Sequence, residues 1–183
     1  LYTDGLHHGS AVVEVGDPNL VPETAYNLIA SLKYKNHERF SAEVSAYHNY
    51  IRNFIYLVPQ QPARLTIRGA FPTFYYRQVD ARLVGTDVSA SYSPLDRLIL
   101  GGKASILRAT NLTDDDYLVL MPADRFEGSL SYEFRGNDKV VEPYVKGAVA
   151  YTRRQNRAPE DQDYASPPPA YTLLRLAGGI SLP

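Results

Sequence analysis

Two adjacent histidines near the start of the chain are the first residues whose chemistry suggests a site. His7 and His8 have Asp4, Glu14 and Asp17 nearby in sequence. Imidazole and carboxylate groups bind zinc, and imidazole binds haem iron. Neighbouring residues of an extended chain point in opposite directions, so without a turn only one of the two would reach a given ion. His7 and His8 are therefore candidate metal ligands, with an ordinary polar loop as the alternative.

Two further runs of charge could hold an ion or an anionic ligand. Residues 114–116 are three consecutive aspartates. Their spacing fits no recognised calcium loop, so we interpret them as solvated charge. Arg153, Arg154 and Arg157 lie at the end of a predicted strand and in the loop after it. Guanidinium groups in such a cluster could attract an anionic siderophore or a lipopolysaccharide phosphate, and the alternative is a solvated rim.

No catalytic motif occurs in the sequence. G-x-S-x-G, H-E-x-x-H, a phosphate-binding loop and G-x-G-x-x-G are all missing. His37 and His48 have no nucleophile pattern beside them. An enzyme would need a nucleophile and a base that meet only in the fold, so the sequence predicts no catalytic residues.

The composition excludes several classes of protein. The formal net charge is −1 over 183 residues, so no polybasic surface predicts nucleic-acid binding. Cysteine is absent, which excludes disulfides and thiolate metal sites. No apolar run reaches the roughly 18 residues of a transmembrane helix. A membrane barrel is not excluded, because only alternate residues of its strands need be apolar.

Two-residue alternation predicts an all-β chain. The clearest segment is 125–135, where Phe126, Leu130 and Tyr132 alternate with serine and charged residues. Several predicted strands reach the roughly 9–11 residues with which a tilted barrel strand crosses a bilayer. The predicted antiparallel meander has seven strands, at about residues 26–34, 40–56, 74–92, 97–109, 125–135, 140–153 and 171–182.

The third predicted strand changes its alternation near Gly85. Apolar residues are odd-numbered before it, as at Val79 and Leu83, and even-numbered after it, as at Val88. A β-bulge produces such a change of frame, and glycine is common in bulges. We therefore expect a bulge near Gly85.

The connections between the predicted strands alternate in length. Short, turn-like connections lie at 35–39, 93–96 and 136–139, and long ones at 57–73, 110–124 and 154–170. Short turns on one side and long loops on the other are typical of an outer-membrane barrel. The 15 tyrosines agree with this, since several lie near predicted strand ends, where membrane barrels carry aromatic girdles. These are Tyr26, Tyr34, Tyr56, Tyr92, Tyr151 and Tyr171.

Three segments resemble the TonB-dependent transporters of the bacterial outer membrane. Residues 16–23, GDPNLVPE, are similar to a family motif often written GNPNLKPE, with Val21 in place of the usual lysine. Residues 47–55 resemble the family's second strand after this motif. Ala81, Gly85 and Asp87 then match a pattern N-x-x-x-A-x-x-x-G-x-E, with Asp87 in place of the glutamate.

The resemblance implies that residues 1–183 are part of a transmembrane barrel of about 22 strands around an N-terminal plug. It implies uptake of a scarce nutrient such as a ferric siderophore, haem or zinc, with energy from the TonB complex. We expect the plug, the TonB-contacting segment and the final strands to lie outside this sequence. The expected partners are TonB, outer-membrane lipid and a small nutrient. A histidine pair in this position resembles the branch of the family that is associated with zinc or haem uptake. His7 and His8 would then bind zinc or haem iron as the transported substrate.

Two other hypotheses remain open at this stage. The chain could be a small self-contained outer-membrane barrel or a β-sandwich binding protein. It could also be an outer-membrane enzyme, for which the residues offer the least support.

Overall fold

The computed structural model describes residues 4–7, 11–36, 39–67, 69–137, 140–160 and 166–181. In these ranges no helix is long and apolar enough to cross a membrane. The strands are β1 (Asp4–His7), β2 (Val12–Val15), β3 (Thr24–Asn36), β4 (Phe40–Pro59), β5 (Arg64–Thr66), β6 (Gly69–Phe71), β7 (Thr73–Leu95), β8 (Leu98–Asn111), β9 (Asp116–Tyr117), β10 (Arg125–Glu133), β11 (Val141–Thr152) and β12 (Tyr171–Ser181).

Seven long strands form one antiparallel meander in the order β3, β4, β7, β8, β10, β11, β12. They confirm the seven predicted strands and the all-β fold class. The strands missed from sequence, β1, β2, β5, β6 and β9, have two to four residues each, too few to show alternation. All of them lie before β3 or inside the long connections.

The connections divide the sheet into two ends. One end has short connections and is named the turn end. There β7 and β8 are joined by Asp96 and Arg97 alone. At the opposite end, the loop end, the connections span residues 60–72, 112–124 and 153–170. The predicted segregation of loop length is therefore present in the fold.

The ladder registers separate two faces of the sheet. One row across five strands is Leu32, Val44, Val88, Ala104 and Phe126, and this side is named the apolar face. The adjacent row, on the polar face, is Lys33, Glu43, Ser89, Lys103 and Glu127. Because side chains alternate along a strand, one register keeps every strand's apolar set on the same side.

The predicted bulge at Gly85 is wrong. Gly85 lies opposite Tyr47 in an unbroken ladder, and the register shifts on β4 instead, between Ile51 and Phe54. Asn53 has φ of 56°, a left-handed conformation that asparagine tolerates better than most residues. The bulge turns Phe54 onto the polar face, which accounts for the irregular alternation at the end of β4.

Gly85 has a different role, which is to leave room for a ring. A Cβ atom built at Gly85 would lie 2.3 Å from the Tyr47 ring. The ring therefore lies directly across the glycine on the polar face. The apolar residues of β7 before Gly85 lie on the polar face, where the connection 112–124 covers them.

The segment Asp17–Glu23 before β3 clamps the β4–β7 hairpin and is named the strap. The Asp17 carboxylate accepts a hydrogen bond from the Asn19 backbone N–H at 2.8 Å, which forms a turn. Val21 exchanges two backbone hydrogen bonds with the Gln78 side chain, at 2.9 and 2.7 Å. Glu23 accepts a hydrogen bond from the Ile55 N–H. The motif GDPNLVPE thus covers the edge of β4 beyond the reach of β3, at Ile55.

Aromatic side chains mark both ends of the apolar face. At the turn end the Phe40 ring contacts Tyr34 and Tyr92, with centroids 6.1 and 6.5 Å apart. At the loop end Tyr26 stacks on Tyr50 at 6.2 Å. Tyr151 lies on this face as well, opposite Phe126.

Two of the predicted girdle tyrosines lie on the polar face. Tyr56 follows the β4 bulge and is opposite Arg77, while Tyr171 is opposite Thr152. For these two residues the prediction was wrong. The bulge reverses the facing of Tyr56, and Tyr171 falls in the polar register of β12.

Replacing Gly85 by alanine should destabilise the fold by about 1–3 kcal/mol, because the new methyl group forces the Tyr47 ring out of place. Urea unfolding of the protein measures this loss. The double variant Gly85→Ala/Tyr47→Ala should cost less than the sum of its parts. Gly102→Ala is the control, since nothing lies within 4 Å of a Cβ there. Strict additivity of the two substitutions would contradict the proposed contact.

Candidate functional site

The polar face carries charges of both signs at neighbouring ladder positions. Lys33 and Glu43 are directly opposite and form an ion pair with 3.2 Å between Nζ and Oε1. Lys103 lies opposite Glu127 in the ladder, and the Glu127 carboxylate forms an ion pair with Arg175. Opposite charges placed across a ladder attract one another, so the face is polar without a large net field.

A shallow depression lies in the middle of this face. Its lining includes Asp87, Lys103, Ser105, Arg125, Glu127 and Arg175. The Ser105 hydroxyl donates to Asp87 at 2.5 Å, and Arg125 lies 3.5 Å from Glu127. Such a surface offers donors and acceptors to a polar partner or solute.

At the loop end the connection 112–124 folds across the polar face. Leu118 is only 1% exposed and packs in a cluster with Val79, Ala81 and Ala109. Met121 in the same connection packs against this cluster. Burial of these apolar side chains holds the connection against the wall.

Polar contacts tie the start of this connection to the sheet. Asn111 Oδ1 accepts hydrogen bonds from the N–H groups of Thr113 and Asp114, at 3.0 and 3.1 Å. Asp114 pairs with Arg77 at 2.8 Å. Part of the acidic run 114–116 is therefore a tether of the loop. In the described residues, no group of three or more histidines and carboxylates is placed to hold a metal ion.

Three arginines meet at one carboxylate, and this group is named the Asp124 cluster. Arg108 contacts both carboxylate oxygens of Asp124, at 2.6 and 3.2 Å. Arg157 donates to Oδ1 at 2.8 Å, and an Arg153 nitrogen lies 3.8 Å from Oδ2. The Arg153 N–H also donates to the Asp124 carbonyl at 2.9 Å, which extends the β10–β11 ladder by one pair.

The Asp124 side chain is 2% exposed. Its hydrogen bond with Arg108 and the charges of Arg108, Arg157 and Arg153 lower the pKa of this carboxyl, against the opposing effect of burial. Asp124 therefore remains ionised and fixes the arginines at the loop end. Asp124 was not predicted as a site residue, because nothing in the sequence relates it to arginines 16 to 33 residues away.

The predicted site residues have different places in the structure. Arg153 and Arg157 come together at Asp124, whereas Arg154 between them is exposed. The backbone of His7 lies in β1, opposite Val12. The His7 side chain and the whole of His8 lie outside the described residues, so their metal-binding role stays a prediction.

Comparison with protein families identifies the chain. The family model described as "TonB dependent receptor-like, beta-barrel" matches residues 1–182. The chain belongs to this family. Among curated proteins no sequence matches. The family places this sheet in the wall of a Gram-negative outer-membrane barrel.

Solved barrels share the fold. "Copper transporter OprC" superposes with a TM-score of 0.73 and 21% identity, over 89% of this chain and 25% of that chain. Two variants of the FrpB iron transporter from Neisseria meningitidis, F3-3 and F5-1, give TM-scores of 0.60 and 0.61 at 13% identity, over 96% of this chain and 27% of theirs. The chain thus spans about a quarter of the length of each of these transporters.

In this family of barrels the apolar face meets lipid and the polar face meets the interior. The dimensions of the sheet agree. Ten residues of β4 separate Phe40 from Tyr50, the two aromatic levels of the apolar face. At about 3.3 Å per residue and a tilt of about 40° they span about 25 Å, the height of a barrel's apolar band.

Leu118→Ala should loosen the connection 112–124, because the change removes a buried side chain from the apolar cluster that joins the connection to the wall. We expect a loss of about 2–4 kcal/mol in the free energy that holds the connection closed. Hydrogen exchange of its amides in the full-length receptor measures this. Leu120→Ala is the matched control, since Leu120 is 76% exposed in the same connection. Equal exchange in the two variants would refute the anchoring role.

The Asp124 cluster should weaken in acid. A carboxyl whose pKa is lowered in the folded protein stabilises it fully above the unfolded value of about 3.9, and this stabilisation is lost as the pH falls through the folded value. Protease cleavage in residues 153–160 of the receptor should therefore rise below about pH 4. Asp124→Asn should raise cleavage already at neutral pH, and Asp115→Asn, an exposed carboxyl, should not. Resistance of the Asp124→Asn variant to cleavage at neutral pH would contradict this.

Proposed function

We propose that this chain forms part of the wall and outer mouth of a transporter that takes up a scarce nutrient across the outer membrane. The observation that carries the proposal is the polar face, with its paired charges, overhung at the loop end by the connection 112–124. A polar interior suits a hydrophilic solute, and an inward-folded connection narrows its entrance. The chain itself performs no chemical step in this proposal.

The proposed nutrient carries a metal, as an iron–siderophore complex, haem or zinc does. OprC is described as a copper transporter and FrpB as an iron transporter, which supports a metal-bearing cargo. Their low identity with this chain transfers the fold and not the choice of metal. Copper(I) prefers the thiolate of cysteine and the thioether of methionine as ligands. The one thioether of this chain, at Met121, instead packs against the apolar cluster, so these residues do not favour copper as the cargo.

Energy for this transport would come from TonB, through a part of the receptor that this sequence does not include. The resemblance and the family support this partner. The wall described here would act passively, by holding its shape while other parts of the receptor move.

Deleting the gene in the source bacterium should lower accumulation of one metal when that metal is scarce, and loss of TonB should lower it equally. Cells supplied with radioactive iron, zinc or copper, free or chelated, measure this directly. Unchanged accumulation of every metal would refute a metal-bearing cargo. Uptake that persists without TonB would refute the energy source.

The histidine pair is tested in the same assay. If His7 or His8 binds the cargo, His7→Ala/His8→Ala should raise the half-saturating concentration at least tenfold, comparable to the loss of a metal-site contact. His48→Ala is the matched control, because His48 lies on the lipid-facing side of β4, opposite Leu28. An unchanged half-saturating concentration would assign the pair to an ordinary polar loop.

A further inference from the structure

Among the described residues, the Asp124 cluster has more positive charge than its own carboxylate can balance. Three guanidinium groups lie within 4.0 Å of the two oxygens of Asp124. The side chains of Arg108 and Arg153 are nevertheless 44% and 61% exposed. Each guanidinium has five N–H donors, so donors remain for a second anion after Asp124 is bound.

The cluster lies on the lipid-facing side of the wall. Arg108 is opposite Val84 on β8, in the register of the apolar face. Arg153 is two residues beyond Tyr151 and continues the same alternation. The side chains next toward the membrane centre on this face include Phe126 and Tyr151, which are directly opposite each other. The cluster therefore borders the apolar band, where cations without a counter-ion are costly.

Other arginines on this face are at the same end. Arg82 on β7 lies two residues from Val84, the partner of Arg108, so the two arginines are diagonal neighbours. Arg52 is opposite Thr24 at the loop end of β4. The turn-end boundary of the same face has the rings of Tyr34, Phe40 and Tyr92 instead. Among the described residues, positive charge on the lipid-facing side is thus concentrated at the loop end, which faces outward in outer-membrane barrels.

We propose that Arg108, Arg153 and Arg157, with Arg82 beside them, bind a phosphate group of an outer-leaflet glycolipid of the lipid A type. Phosphate oxygens accept paired hydrogen bonds from guanidinium groups and supply the missing negative charge. The acyl chains of the same lipid lie along Phe126 and Tyr151 below. Asp124 is a positioning residue. Its carboxylate binds the guanidinium groups and keeps them at the level of the lipid headgroups, away from the hydrocarbon.

Lipid is favoured over a transported anion because of the side on which the cluster lies. A solute in the barrel interior meets the polar face, whereas Arg108 belongs to the opposite register. The inference depends on the outer-membrane placement of the sheet and not on the nutrient. A failed uptake experiment leaves it untouched, and its own failure leaves transport untouched.

The test uses full-length receptor, freed of lipid in detergent and titrated with diphosphoryl lipid A while native mass spectrometry counts bound lipid. Arg82→Gln/Arg153→Gln removes two exposed arginines and leaves Arg108 and Arg157 on Asp124. Arg39→Gln/Arg135→Gln is the control, since it removes two exposed arginines at the turn end. Lipid A without phosphates and inorganic phosphate are the competing probes.

We expect the Arg82/Arg153 variant to bind diphosphoryl lipid A at least tenfold more weakly than the wild type, with the control variant unchanged. Charge-assisted hydrogen bonds of this kind are strong enough for such a loss. Arg82→Lys/Arg153→Lys should recover part of the affinity, because lysine keeps the charge but not the paired donors. Dephosphorylated lipid should bind weakly, and inorganic phosphate should not displace the lipid.

Three results would overturn the proposal. Equal binding by the Arg82/Arg153 variant and the control variant would show that the cluster takes no part. Equal binding of dephosphorylated lipid A would show that acyl chains alone decide. Displacement by inorganic phosphate would show a general anion site and not a lipid site.

Discussion

The unbroken antiparallel register is the constraint on which the rest of this sheet depends. Because side chains alternate with a period of two, a slip of one residue in any strand would move its charges to the lipid side and its apolar residues to the interior. Lys33, Glu43, Lys103 and Glu127 can form their row only because each strand between them keeps its register.

The β4 bulge shows how the register is protected where the pairing changes. Asn53 is held from both sides, since its N–H donates to Asp80 at 3.1 Å and its carbonyl accepts from Gln78 at 2.9 Å. Tyr50 donates to the same Asp80 carboxylate at 3.0 Å, and the strap is joined to Gln78. Both contacts to Asn53 thus come from β7, and Tyr50 and the strap in turn hold the two β7 side chains that make them. This gives a physical reason for the motif GDPNLVPE to stand just before β3, where it secures the bulge and the hairpin above it.

Sequence patterns predicted what alternation and turn chemistry control, and missed what depends on contact between distant residues. The seven long strands were predicted to within a few residues, because each is long enough to show its period. The bulge was assigned to Gly85 because a change of apolar parity has two causes. A bulge is one cause, and a loop that covers the polar face is the other. Here Leu118 of the connection 112–124 packs on Val79, so β7 has apolar residues on its polar face at this point. Arg153 and Arg157 were found as charges, but their common partner Asp124 was not, since only the fold brings it between them.

The two faces of the wall handle charge differently, and the difference follows from what they meet. On the polar face, cations and carboxylates alternate across the ladder, so Lys33 has Glu43 and Arg175 has Glu127. On the lipid-facing side, three arginines share Asp124, which leaves a net positive charge among the described residues. Water or a polar solute can screen a small imbalance in the interior, but hydrocarbon cannot. An anionic headgroup beside the apolar band balances such charge, and in the proposal above the phosphates of an outer-leaflet glycolipid supply it.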